Sequence, residues 1–181
     1  MESAFAWLGS LFEWFGAFIP RWVILDTTEG AIKYVGGSRV VVCGPGIHFY
    51  WPARSTMIKY PTARQTDQLE AQTMESSDGI TFMVSGLITY RVRDIAALIP
   101  TTHDAVAAVR DMAQAAIHDT CCYMTWSELQ TKQQRGTLKT ELKNEAQKQL
   151  RDYGVEVIKL QLNSLARCRV LRLSQSTSVE G

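Results

Sequence analysis

An α+β fold, built from antiparallel β-hairpins with packed helices and preceded by an apolar helix, follows from three features of this sequence. Residues 29–52, EGAIKYVGGSRVVVCGPGIHFYWP, hold three β-branched or aromatic runs punctuated by glycine. Residues 80–92 alternate apolar and polar with a period of two, as a half-buried strand must. Residues 103–122 and 127–153 instead carry apolar stripes at helical spacing.

The chain has 181 residues and a formal net charge of +1, enough length to bury a core and no basic excess to suggest nucleic acid as a partner. Its four cysteines, Cys43, Cys121, Cys122 and Cys168, have no regular spacing, which argues against a disulfide framework and for a reducing compartment.

Taken in order, residues 3–19 are the most apolar stretch. On a helical wheel Phe5, Trp7, Leu8, Leu11, Phe12, Trp14, Phe15, Phe18 and Ile19 share one half with Ala4, while Gly9, Gly16, Glu13, Ala6, Ala17 and Ser10 share the other. Such a helix rises only about 25 Å, short of a hydrocarbon core of roughly 30 Å. It therefore reads either as a core-packing helix or as one lying in a single leaflet, its small face open to a neighbouring subunit at Gly9 and Gly16. Pro20-Arg21-Trp22 ends it and supplies a cation and an aromatic ring as interfacial anchors. If the helix crosses, Arg21 after it, against Glu2 and Glu13 before it, favours a cytoplasmic bulk domain.

Residues 31–35 and 39–43 predict strands joined by a tight Gly36-Gly37 hairpin, and Gly44-Pro45-Gly46 predicts a sharp reversal into a third strand at 47–51. Phe49, Tyr50 and Trp51 beside that turn fill a core edge or face a membrane interface. A polar connection follows, then a weak strand over 64–74 and turn chemistry at Ser76-Ser77-Asp78-Gly79. From Ile80, Phe82, Val84, Gly86, Ile88, Tyr90 and Val92 point one way. Thr81, Ser85, Thr89 and Arg91 point the other, with Met83 and Leu87.

Residues 94–99 predict a short helical turn ended by Pro100, and Thr102 is the expected cap of a helix from His103 to about Cys122. A second helix, capped by Ser127, is expected to reach Tyr153 with Leu138, Leu142, Ala146, Leu150 and Tyr153 on its stripe. Glu128–Lys132 and Lys148–Asp152 are its expected ion pairs. Gly154 closes the helix before a strand over 155–162, and residues 165–181 predict a short basic strand and a disordered tail.

The stretches EGAIKYVGG…GPGIHFYWP, TMESSDGITFMVSGLITYRVRD and the charged helix ending Tyr153-Gly154-Val155 occur in the order and spacing of the SPFH (band 7) domain of stomatins, prohibitins and flotillins, which this chain resembles. The resemblance divides the chain into an anchor over 1–22, an SPFH-type domain over 23–164 and a tail over 165–181. It implies a non-catalytic, membrane-associated oligomeric scaffold, and the charge balance about the helix puts its bulk domain on the cytoplasmic side. Its implied partners are membrane lipid, copies of itself or of a related SPFH protein, and a client such as a membrane protease or channel. Family members typically continue into a long coiled coil; this sequence ends at Gly181, which predicts a ring or sheet-like lateral array.

The membrane-contact set expected from these features is the apolar half of residues 5–19 together with Trp22, Phe49, Tyr50 and Trp51. The mixed charges of the second helix, Lys132, Lys139, Glu141, Lys143 and Glu145, with Gly9 and Gly16, are the expected interface between copies. A structural component of a larger particle, a viral one included, is the competing reading. Enzyme chemistry finds no phosphate loop, HExxH or GxSxG. His118, Cys121 and Cys122 share a helical face but lack a fourth ligand, so no metal or cofactor is expected. Acylation of Cys43, Cys121 or Cys122 is the alternative to a buried thiol pair.

Overall fold

In a computed structural model, residues 19–99 and 104–168 are described, so the predicted anchor helix, Thr102 and the tail beyond Cys168 lie outside the described residues. Among the described residues eight strands and four α-helices follow one another as β1 (Arg21–Leu25), β2 (Glu29–Val35), β3 (Arg39–Cys43), β4 (Gly46–Tyr50), β5 (Ser55–Pro61), β6 (Gln65–Glu75), β7 (Thr81–Val92), α1 (Ile95–Leu98), α2 (Ala105–Cys122), α3 (Trp126–Arg135), α4 (Thr137–Leu150) and β8 (Val155–Arg167), with one 3-10 turn (Arg151–Tyr153) before β8. The strands form a β1–β4 ribbon, a β3-β2-β5 sheet and a β6-β7-β8 sheet, antiparallel throughout.

The helical layer covers one face of β6-β7-β8, with α2 against β6 and α4 against β8. The predicted alternation of β7 is observed: Phe82, Val84, Gly86, Ile88, Tyr90 and Val92 are all buried. They meet Val109, Ala113, Ala116 and Ile117 of α2 and Leu138, Leu142, Ala146 and Leu150 of α4 in one core. Alanines at the helix contact let the backbones approach closely, and the large side chains come from the sheet.

Several expectations are corrected. Arg21-Trp22 opens a strand, and residues 55–61, read as a polar connection, form β5. Both are peripheral: Leu25 is the one residue of β1 that is buried and Ser55 the one of β5, so neither carries the long apolar run of a core strand. The strands on either side of Gly44-Pro45-Gly46 do not pair with each other, since β3 pairs with β2 while β4 pairs with β1.

The predicted 127–153 helix is two. Gly136 adopts φ 76°, a left-handed conformation that ends α3, and α4 restarts at Thr137. Thr125, not Ser127, caps α3: its hydroxyl accepts from Glu128 N–H while the Glu128 carboxylate accepts from Thr125 N–H. Asp104 caps α2, its side chain accepting from the Val106 and Ala107 N–H groups, where Thr102 was the expected cap. The ion pairs differ as well, since Lys132 reaches Glu141 across the α3–α4 turn and Lys148 pairs with Glu145.

Candidate functional site

The β1–β4 ribbon sorts its side chains by alternation. Trp22 opposes Phe49 and Ile24 opposes Ile47, while Val23 and His48 take the other face. Leu25 turns inward with Ala31 and Cys43 into a small second core. The outward four are left uncovered, with exposures of 75% for Trp22, 62% for Phe49, 64% for Ile24 and 65% for Ile47. The Trp22 and Phe49 rings contact one another, centroids 6.1 Å apart. Isolated exposed apolar residues are ordinary, but a contiguous face of four large ones marks an interaction surface.

Two lysines fix the ribbon's backbone to the neighbouring sheet. Lys33 Nζ donates to the Phe49 carbonyl and Lys59 Nζ to the Ile24 carbonyl, each at 2.8 Å. Trp51, just past β4, is also exposed, as is Ile19 just before β1. Tyr50 opposes Arg21 on the inward side and is half-buried. Of the predicted contact residues that are described, Ile19, Trp22, Phe49 and Trp51 are exposed and Tyr50 is half-buried. Ile24 and Ile47 escaped the sequence reading, although their spacing of two from Trp22 and Phe49 was the signal.

A polar cleft of about 740 Å³ lies between the two halves of the fold, lined in part by Arg64, Arg91, Arg93, Lys143 and Glu156. Arg91 and Arg93 both bond the Glu156 carboxylate, at 2.7 and 2.9 Å at closest. These hydrogen bonds, that of Arg93 first, hold the Glu156 carboxyl down at about 2. Tyr90 donates to Asp67 (2.9 Å), and burial followed by that bond pushes its hydroxyl far above the usual phenol range. Neither arrangement offers a group that exchanges protons near neutrality. His118 is exposed while Cys121 is buried, and among the described residues no cluster of His, Cys, Asp or Glu has a geometry that holds a metal.

Of the predicted interface residues, Lys132 and Glu141 engage one another and Glu145 engages Lys148. Lys139 is exposed and Lys143 half-buried at the cleft rim. Gly9 and Gly16 lie outside the described residues, as do the contact residues from Phe5 to Phe18.

A family model described as the SPFH domain / Band 7 family matches residues 22–168. This chain belongs to that family. A comparison with curated proteins found no match. SPFH proteins are as a class membrane-associated, non-catalytic scaffolds. Among the described residues of this SPFH domain no helix is long and apolar enough to cross a membrane.

Proposed function

We propose that this SPFH chain is a membrane-associated scaffold. The outer face of the β1–β4 ribbon and the apolar segment 3–19 together form its lipid contact, with the helical half of the domain on the cytoplasmic side. Copies assemble laterally and hold client membrane proteins, a protease or a channel being the class that the family suggests. The carrying observation is the uncovered Trp22, Ile24, Ile47 and Phe49 face, on a ribbon whose first strand follows the apolar segment 3–19 in the sequence. Each large apolar side chain fully buried in lipid contributes about 1.5–3 kcal/mol, so four supplement an amphipathic helix substantially.

The test is vesicle flotation of the full chain, of Trp22→Glu/Phe49→Glu, and of a chain lacking residues 2–18. The expected order of membrane binding is full chain above either variant. The ribbon variant should keep its thermal stability, because both rings are already in water. Equal flotation of all three would place the contact elsewhere and defeat the reading.

A further inference from the structure

The β6-β7-β8 sheet ends in two open edges of opposite character. Among the described residues no strand pairs with the outer edge of β8 or of β6. At the β8 edge, the 740 Å³ cleft and a second of about 300 Å³ meet at Lys143 and Ile158, making one groove along the strand. Lys139, Lys143 and Lys159 stand in this groove, and none has an ionic partner among the described residues. Its acid, Glu156, is already bonded by two arginines.

The other edge is the reverse. Residues 65–75 of β6 contain three acids and no lysine or arginine. Asp67 is engaged by Tyr90 and Arg110, but Glu70 and Glu75 are exposed and unpaired among the described residues. Internal pairing of Lys132 with Glu141 and of Glu145 with Lys148 removes those charges from contention.

We propose that the basic β8–α4 groove of one copy receives the acidic β6 edge of the next. The contact is heterologous, each copy offering one edge and accepting the other, so it propagates into rings or open arrays. Two local features make it a contact of side chains rather than a continuous shared sheet. Gln147 already occupies the start of the β8 edge, accepting from Val157 N–H at 2.7 Å and donating to the Val155 carbonyl at 3.0 Å. A register shift between Leu69 and Gln72 bulges β6 beside Glu70, and bulged, charged edges resist strand addition. The interface is consequently salt-sensitive. It rests on the scaffold reading in that the bilayer concentrates the copies and gives them a common orientation.

The test uses full chains carrying donor or acceptor dyes, reconstituted in neutral phosphatidylcholine vesicles so that lysine–lipid attraction is absent. One variant reverses the basic edge (Lys139→Glu, Lys143→Glu, Lys159→Glu) and another the acidic edge (Glu70→Lys, Glu75→Lys). Each alone should lose energy transfer by about tenfold or more, since like charges then face each other, while flotation stays unchanged. Mixing the two variants should restore transfer, because each reversed edge finds its complement on the other chain. Transfer unchanged in either variant, or a mixture no better than its components, overturns the proposal. Failure of the wild type to float would instead defeat the membrane reading, and the same samples concentrated in detergent would still decide the interface. Loss of binding to phosphatidylserine vesicles by the basic-edge variant, with transfer intact, would assign the lysines to lipid and also overturn it.

Discussion

Gly154 lies directly against Asp94: a Cβ on Gly154 would sit 2.5 Å from the Asp94 carbonyl oxygen. The Gly154 carbonyl in turn accepts from the backbone N–H groups of Arg93 and Asp94. The turn before β8 is thereby locked onto the segment joining β7 to α1, at the junction between sheet and helices. Gly154 also has φ 67°, where a side chain adds strain. Gly154→Ala is expected to cost about 2–4 kcal/mol, whereas Gly136→Ala, with φ 76° but open space around it, costs about 1 kcal/mol. Denaturant midpoints compare them directly, and equal losses would mean that the Asp94 contact is unimportant.

The Glu156 carboxylate provides a pH test. Its folded value, about 2, is depressed below the ordinary 4.5, so the stability it contributes is present above pH 4.5 and is lost as pH falls through about 2. Wild type should therefore melt above Glu156→Gln at pH 6, and the two curves should converge as the pH approaches 2. A constant difference across that range would show that the Arg91 and Arg93 contacts are not what depresses this carboxyl.

Helix capping gives a sharper assignment. Thr125 makes both halves of a capping box with Glu128, while Ser127 already lies inside α3. Thr125→Ala is expected to cost about 1 kcal/mol and Ser127→Ala a few tenths at most. The reverse order in chemical denaturation would move the cap to Ser127.

Thiol chemistry distinguishes burial from modification. Burial, then the neighbouring Cys122, pushes the Cys121 thiol up to about 12, and its side chain is fully covered. The folded chain at pH 8 is expected to leave Cys121 unlabelled by iodoacetamide until denaturant is added, with peptide mass spectrometry as the readout. Labelling of native Cys121 at the rate of a free thiol would reopen it as an acylation site.

How much could be seen beforehand depended on how strongly burial constrained each segment. The β7 strand was legible because one face is wholly buried, which forces a strict period of two from Phe82 to Val92. In β8 the alternation breaks where register shifts occur opposite Ser85/Gly86 and Thr89/Tyr90, so Ile158 falls out of phase although the strand continues to Arg167. The capping box at Thr125 and the stop at Gly136 were written in the sequence, yet the uninterrupted charged pattern on both sides of Gly136 concealed the break.

By itself the sequence determined the Gly36-Gly37 hairpin, the one-sided β7 strand, the apolar faces of α2 and α4 and membership of the SPFH family. All of these are local periodicities or turn chemistries that few other arrangements satisfy. The tertiary structure alone decided which surfaces remain open. Val23 and Trp22 are equally apolar neighbours, but the crossing of β4 onto β1 and the small core under Leu25 cover one and expose the other. The same holds for charge. Spacing along the sequence favours Glu128 as the partner of Lys132, but the turn at Gly136 brings Glu141 to 2.8 Å while Glu128 is taken by its cap. Proximity across a fold is set by the packing of whole elements, which no window along the chain contains.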